Sequence, residues 1–233
     1  YKPFSAIFTR SDDYVDSLAS LGLPREKMVS LMPGFDAQTF HSGHRDETVW
    51  DGLGVGRDSV KVLYVGRVSV EKNMPFMTGV WKSVRKRLKS QGIRAELVIV
   101  GDGPYRAEME RELKGKDAAF LGFRHGEELS AIYASSNMFV FPSTTDTLGQ
   151  VVMESQGSGL PVIVTDQGGP KEVVEHGRTG FVLGATDPAE WVDHIETLIT
   201  DHARRADMGA AAHQSMQRYG LEHSFEHFWD VHV

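Results

Sequence analysis

Apolar positions along this chain follow two rhythms. Unbroken runs such as Val62-Leu63-Tyr64-Val65 and Met138-Phe139-Val140-Phe141 have the length of strands buried on both faces. Between them lie longer stretches with helical spacing. In residues 12–21, for example, Tyr14, Val15, Leu18 and Leu21 share one face and Gly22 supplies the stop. The pattern predicts strands over residues 6–9, 28–32, 61–65, 95–100, 118–121, 138–141, 161–165 and 180–183. It predicts helices over 12–21, 75–90, 127–134 and 149–157, one ending near 113, a short one over 170–175, and more from 188 to the end. Residues 41–59 are polar, carry Gly43, Gly52, Gly54 and Gly56, and read as a loop or linker. Their G-x-G-x-G spacing has no strand before it and no helix after it, so a plain loop is the reading.

Strict alternation of strands and helices predicts an α/β domain with a doubly wound, Rossmann-like parallel sheet covered on both faces. Such sheets bind ligands beyond the carboxyl ends of their strands. The chemistry is therefore sought in the loops after Val65, Val100, Leu121, Phe141 and Thr165.

The first of these loops holds Gly66, Arg67 and Lys72. A guanidinium fork and an ammonium both suit phosphate, although two solvated cations at a loop tip are the plainer alternative. The loop after Phe141 runs through Asp146, Thr147, Leu148, Gly149 and Gln150 into a predicted helix that carries Glu154. Asp146 is placed to cap that helix, and the free amides of residues 147–150 form a site for an anion or a hydroxyl-rich ligand. Glu154 sits among Val151, Val152 and Met153, which is unusual for a carboxylate unless it faces a cleft or has a partner. After Thr165, Gly168-Gly169 aim further amides at the same cleft.

Taken in order, Gly66-Arg67 with Lys72, Gly101-Asp102-Gly103-Pro104, Phe141-Pro142-Ser143, an acid separated from Glu154 by seven residues, Gly157-x-Gly-x-Pro161-Val162, Gly168-Gly169-x-x-Glu172 and Gly177-x-Thr179-Gly180 resemble glycosyltransferase family 4. The resemblance spans the whole chain. It implies a retaining glycosyltransferase of the GT-B fold, of which this chain is the donor-binding half. Arg67 and Lys72 would then bind the donor diphosphate and stabilise its departing charge, a large term in such chemistry. Asp146 would stand near the donor sugar, where the family more often has Glu. Glu154 would accept from the ribose hydroxyls. The amides of Thr147, Leu148, Gly149 and Gln150 would hold the sugar and distal phosphate. Phe123 and Arg124 would lie beside the base, and Gly66, Gly101 and Gly103 would line the pocket.

The same resemblance divides the chain. Residues 1–40 would be the end of an acceptor-side domain and the crossover, with the hinge at Pro33-Gly34-Phe35-Asp36. Residues 60–220 would be the nucleotide-sugar domain, and 221–233 a helix returning to the acceptor side. The partners implied are a nucleotide-sugar donor, GDP-mannose or a UDP-hexose, and a glycan or lipid acceptor. No metal or other cofactor is expected.

Composition narrows the alternatives. The 233 residues carry 25 Lys and Arg against 32 Asp and Glu, a net charge of −7, which argues against a nucleic-acid binder. There is no cysteine, so disulfides and thiolate-bound zinc are excluded, and a cytoplasmic setting is expected. The start, Tyr1-Lys2-Pro3-Phe4, lacks an initiator Met and a signal-peptide pattern, so a piece of a longer protein is expected. Lys82, Arg85, Lys86, Arg87 and Lys89 make one predicted helix basic, either a solvated face or a contact with an anionic membrane at its inner face. Trp50, Trp81 and Trp191 read as packing residues. Two rival functions remain. His223-Ser224-Phe225-Glu226-His227 matches the inverted zinc-peptidase motif, with one polar face of an amphipathic helix as the plainer reading. The chain would alternatively bind nucleotide without turnover.

Overall fold

The computed structural model describes residues 6–31 and 34–230, apart from the side chains of His223 and His227. Met32 and Pro33, and with them part of the expected hinge, lie outside the described residues. The chain opens with β1 (Ile7–Thr9), α1 (Asp12–Ser20) and β2 (Met28–Ser30), and the two strands pair in parallel as a small separate sheet. The main sheet follows as β3 (Val60–Val65), β4 (Ala95–Val100), β5 (Ala118–Gly122), β6 (Met138–Phe141), β7 (Val162–Thr165) and β8 (Gly180–Leu183). Its spatial order is β5-β4-β3-β6-β7-β8, every pair parallel. The chain thus starts at the centre, winds outward through β4 and β5, and returns to add β6 on the other side of β3. That reversal makes the carboxyl ends of β3 and β6 the switch point, where a crevice opens in sheets of this kind.

The connecting helices are α2 (Met74–Gln91), α3 (Arg106–Leu113), α4 (Gly126–Ser135), α5 (Gln150–Gly157), α6 (Pro188–Thr200), α7 (His202–Met216) and α8 (Leu221–Asp230). Local signals set their ends. Asp187 accepts from the N–H groups of Ala189 and Glu190 and so caps α6, with Pro188 as its first residue. Gly92 adopts φ 69° and ends α2. Strand residues Val62, Leu63, Tyr64, Leu97, Val98, Ile99, Phe139 and Val140 have no exposed surface, as expected for strands covered on both sides. Trp81 and Trp191 are wholly buried, and their indole N–H groups donate to the carbonyls of Lys116 and Gly184, each at 2.9 Å.

Residues 41–59, read as a loop or linker, form two short 3-10 turns, and Trp50 within them is buried in the main core. The buried Lys61 ammonium lies 5.6 Å from the centre of the Trp50 ring and donates to the carbonyl of Arg57. The basic face of α2 is also largely neutralised. Lys82 pairs with Glu112, Arg85 with Asp117, and Arg87 with both Asp193 and Glu196. Among the described residues no helix is long and apolar enough to cross a membrane.

Candidate functional site

The carboxyl ends of β3, β4 and β5 enclose a cavity of about 550 Å³. Six residues expected to contact a donor line it: Gly66, Arg67, Gly101, Gly103, Phe123 and Arg124. Its floor is backbone from two loops pressed together. A Cβ on Gly101 would lie 2.0 Å from the Gly66 carbonyl oxygen, and one on Gly103 would lie 2.3 Å from that of Val68. Glycine is therefore required by the approach of the loops to each other. The Gly66 N–H donates to Val100 O at 3.0 Å and the Gly101 N–H to Gly122 O at 2.8 Å, which extends the sheet by one residue on each strand. Arg67 forms one wall, with its side chain 64% exposed and 3.5 Å from Glu71. Phe123 also lines the cavity, 65% exposed and stacked on His125 with ring centres 6.4 Å apart. Arg124 is held against Glu128 at 3.1 Å. His125 and Leu129 also line the cavity and were missed in the sequence. Their signal was position, in the turn after β5 and the first turn of α4.

The remaining expected residues do not line this cavity. They gather at the switch point and along α5. Lys72 Nζ lies 2.8 Å from Asp146 Oδ2, and both side chains are about one-fifth exposed. This pair joins the loop after β3 to the loop after β6. Asp146 is thus not the cap of α5, a position occupied by Gly149 in a left-handed conformation. Beneath the pair, Tyr64 and Phe141 stack with ring centres 6.0 Å apart, and the Tyr64 hydroxyl donates to the Arg67 carbonyl at 2.8 Å. Burial, reinforced by the Asp146 and Glu71 carboxylates, pushes the Tyr64 phenol far above its ordinary range.

Among the described residues the amides of Thr147, Leu148 and Gly149 donate to no protein acceptor. Together with Gln150, the first residue of α5, they surround the helix start. The Leu148 side chain is buried, so only its backbone faces a ligand. Gly169 plays a different part from the one expected. The Gly169 N–H is already taken by the Asp146 carbonyl at 3.0 Å. A Cβ there would meet the Thr147 carbonyl oxygen at 2.0 Å. The paired glycines thus let one loop brace another.

Glu154 has the partner its setting demanded: the buried Tyr133 hydroxyl donates to its Oε2 at 3.0 Å. Burial raises the Glu154 pKa above the ordinary carboxylate value, and the Tyr133 hydrogen bond partly opposes that rise. Tyr133→Phe should therefore move the Glu154 pKa further upward, as read from a carboxyl-carbon NMR titration. A downward move or no change would mean that the bond does not form. The H-x-x-E-H segment lies in α8, but its two histidine side chains fall outside the described residues. In the same helix Phe225 and Trp229 stack on each other and are exposed.

A model of the family described as glycosyl transferases group 1 matches residues 59–201, which spans every strand of the main sheet. The chain belongs to that family. Among its relatives, this group 1 glycosyl transferase chain is 35% identical over 190 residues to the sulfoquinovosyl transferase SQD2 of Arabidopsis thaliana, covering 80% of this chain and 36% of that protein. It is 34% identical over 187 residues to a GDP-mannose-dependent alpha-mannosyltransferase of Corynebacterium glutamicum, covering 79% and 42%. The chain thus spans less than half the length of these relatives. Among solved structures, Alr3699/HepE of Anabaena in complex with UDP superimposes with a TM-score of 0.85 over 97% of this chain and 63% of that one, at 22% identity. Sucrose-phosphate synthase of Thermosynechococcus elongatus gives 0.80 over 97% and 57%, at 21% identity. The doubly wound, Rossmann-like half of a GT-B fold is therefore the architecture of this chain.

Proposed function

We propose that this chain is the donor-binding half of a retaining glycosyltransferase, which moves a hexose from a nucleoside diphosphate sugar to a glycan or lipid acceptor. The observation that carries the reading is the placement of the expected residues. A cavity lined by the exposed Phe123 ring and the Arg67 guanidinium opens at the end of β3, and the loop that carries Arg67 goes on to Lys72, which pairs with Asp146 at the switch point. Phe123 would stack on the base, with Arg124 beside it. Arg67 and Lys72 would face the diphosphate, and Asp146 with the amides of residues 147–150 would face the sugar. Glu154, with one oxygen engaged by Tyr133, would present the other to the ribose. The names of the relatives support both guanine and uracil donors, since one acts with GDP-mannose and a structural neighbour holds UDP.

In the proposed reaction the bond between the anomeric carbon and the diphosphate oxygen breaks, and the electron pair leaves with the diphosphate. The acceptor oxygen bonds the same carbon from the same face, and its proton passes to the departing phosphate oxygen. Arg67, Lys72 and the helix-start amides supply the positive charge this leaving group needs, so the scheme requires no metal ion. Acceptor contacts would come from a further domain of the whole protein. A membrane contact through α2 draws no support from its ion-paired face.

The test is calorimetric titration of the chain with UDP, GDP and ADP in the presence of a chelator. One nucleotide should bind. Phe123→Ala should weaken it by about 5- to 100-fold, the usual worth of a base stacked on an aromatic ring, and Arg67→Ala should weaken the diphosphate more than the nucleoside. Equal affinity in the wild type and Phe123→Ala would overturn the assignment of the base. No binding of any nucleotide to a folded chain at millimolar concentration would overturn the cavity as a donor site.

A further inference from the structure

A second cavity lies at the opposite end of the sheet. Residues just before β6 and β7 form it with the loop at 42–45 and the first turns of α7. Its volume is about 290 Å³, and its lining includes Ser42, Arg45, Ser136, Ser158, His202 and Arg205. The candidate donor cavity sits at the carboxyl ends of the strands, so the length of a strand separates the two. That is roughly 13 Å for four residues at about 3.3 Å each.

Three features set this cavity apart from an ordinary surface dent. Arg205 is only 9% exposed. Its Nη1 donates to the carbonyls of Leu198 and Ile199 at 2.6 and 2.9 Å, which occupies one nitrogen of the fork at the end of α6. Among the described residues no carboxylate comes within ion-pair reach of that guanidinium, and a buried cation without a counter-ion is costly. The Arg205 pKa is held below its ordinary value, chiefly by burial; Asp201 opposes the shift and Arg45 adds to it. The last effect shows two cations near one space. Arg45 itself is half-exposed, with Nη2 2.6 Å from Glu47. Third, the Ser158 hydroxyl is buried and has no hydrogen-bond partner among the described residues, although Ser158 lines the cavity. A buried, unpaired hydroxyl in a native fold calls for an explanation.

We infer that this cavity binds a small phosphomonoester of a sugar or polyol, with Arg45, Arg205 and His202 on the phosphate and the serine hydroxyls on the hydroxyl groups. Guanidinium forks recognise phosphate oxygens in pairs. The serines offer both donors and acceptors, which suits hydroxyl-rich ligands rather than apolar ones. The volume suits a monosaccharide phosphate and is about half that of the candidate donor cavity. Its remoteness from the switch point makes such a ligand an effector rather than a transferred group. It would tie the loop at 42–45 to α7. This inference does not rest on the donor assignment.

The probes are glucose 6-phosphate, inorganic phosphate and glucose, titrated calorimetrically into the chain carrying Arg67→Ala and Lys72→Ala, which removes phosphate binding at the switch point. Glucose 6-phosphate should bind more tightly than phosphate, and glucose not at all. Amide NMR shifts should cluster at residues 158–160 and 202–206. Adding Arg45→Gln should weaken glucose 6-phosphate by about tenfold or more. Arg45 is half-exposed, so this substitution leaves the fold intact where loss of Arg205 would free the end of α6. Ser158→Ala should weaken glucose 6-phosphate more than phosphate. No binding at millimolar concentration, shifts confined to the loop after β3, or an affinity untouched by Arg45→Gln would each overturn the site. Phosphate binding as tightly as glucose 6-phosphate would overturn the sugar-phosphate assignment.

Discussion

Under the proposed reaction, Lys72→Ala in the whole protein should lower kcat/KM for donor turnover by about 10²- to 10³-fold, the usual cost of removing one preorganised charge from a departing oxyanion. Its ammonium is about one-fifth exposed and fixed 2.8 Å from Asp146, so it is poised before a ligand arrives. In the proposed site, loss of the cation would also leave the mostly buried Asp146 carboxylate beside the phosphates, where it would repel them. Asp146→Ala alone should cost less in nucleotide affinity, because Lys72 then remains free for phosphate. The double variant should fall short of the sum, since the residues act on each other as well as on the donor. The measurement is release of nucleoside diphosphate from the nucleotide sugar, with affinities for the free diphosphate taken in parallel. A Lys72→Ala protein with unchanged turnover would remove Lys72 from the proposed reaction.

Gly169→Ala should destabilise the fold by about 1–3 kcal/mol, the range for forcing an extra carbon into a packed region, and should abolish donor binding along with it. The added Cβ would stand 2.0 Å from the Thr147 carbonyl oxygen, and the neighbouring atoms are also backbone, so no side-chain rotation relieves the contact. The loop at 146–149 must move, which carries Asp146 and the three free amides with it. Gly79→Ala is the contrast. Gly79 lies inside α2 with nothing within 4 Å of the added carbon, so the better helix former should stabilise by about 0.5–1 kcal/mol. Urea unfolding of both variants decides the point. If Gly169→Ala matched the wild type in stability and binding, the brace between these loops would be unimportant.

The sheet was legible because its strands are continuous apolar runs punctuated by glycine or proline. The predicted bounds of Ala95–Val100, Met138–Phe141 and Gly180–Leu183 coincide with the observed strands. The loops after the strand ends were legible as the place to look, and Gly66 and Arg67 could be read there directly, whereas Gly101, Gly103, Phe123 and Arg124 came from the family resemblance; all six line the cavity. What escaped the sequence depends on distant partners. Lys72 and Asp146 are 74 positions apart, so each could be read only as a separate charge. Glu154 announced that it needed a partner, but Tyr133 lies on a different helix and nothing local pointed to it. The 41–59 segment looked like a linker because its polar and glycine residues outnumber its apolar ones. Its few apolar residues nonetheless bind it to the core: Trp50 and Val55 are buried there, and Val49 and Leu53 pack against it. Asp146 looked like a helix cap because capping is a local rule, and a long-range ion pair overrode it.

The strand order has a consequence for how new donor preferences could arise. The cavity is built wholly from β3, β4, β5 and the loops and helix start that follow them, while the Lys72–Asp146 pair reaches across to the half that begins at β6. Residues 123–125 and the first turn of α4 touch the cavity from β5, the edge strand of the sheet. If Phe123 and Arg124 meet the base as proposed, the turn at 122–129 is an exchangeable cassette: transplanting it alone from a relative with another nucleotide should change which base is accepted while leaving Arg67, Lys72 and Asp146 in place.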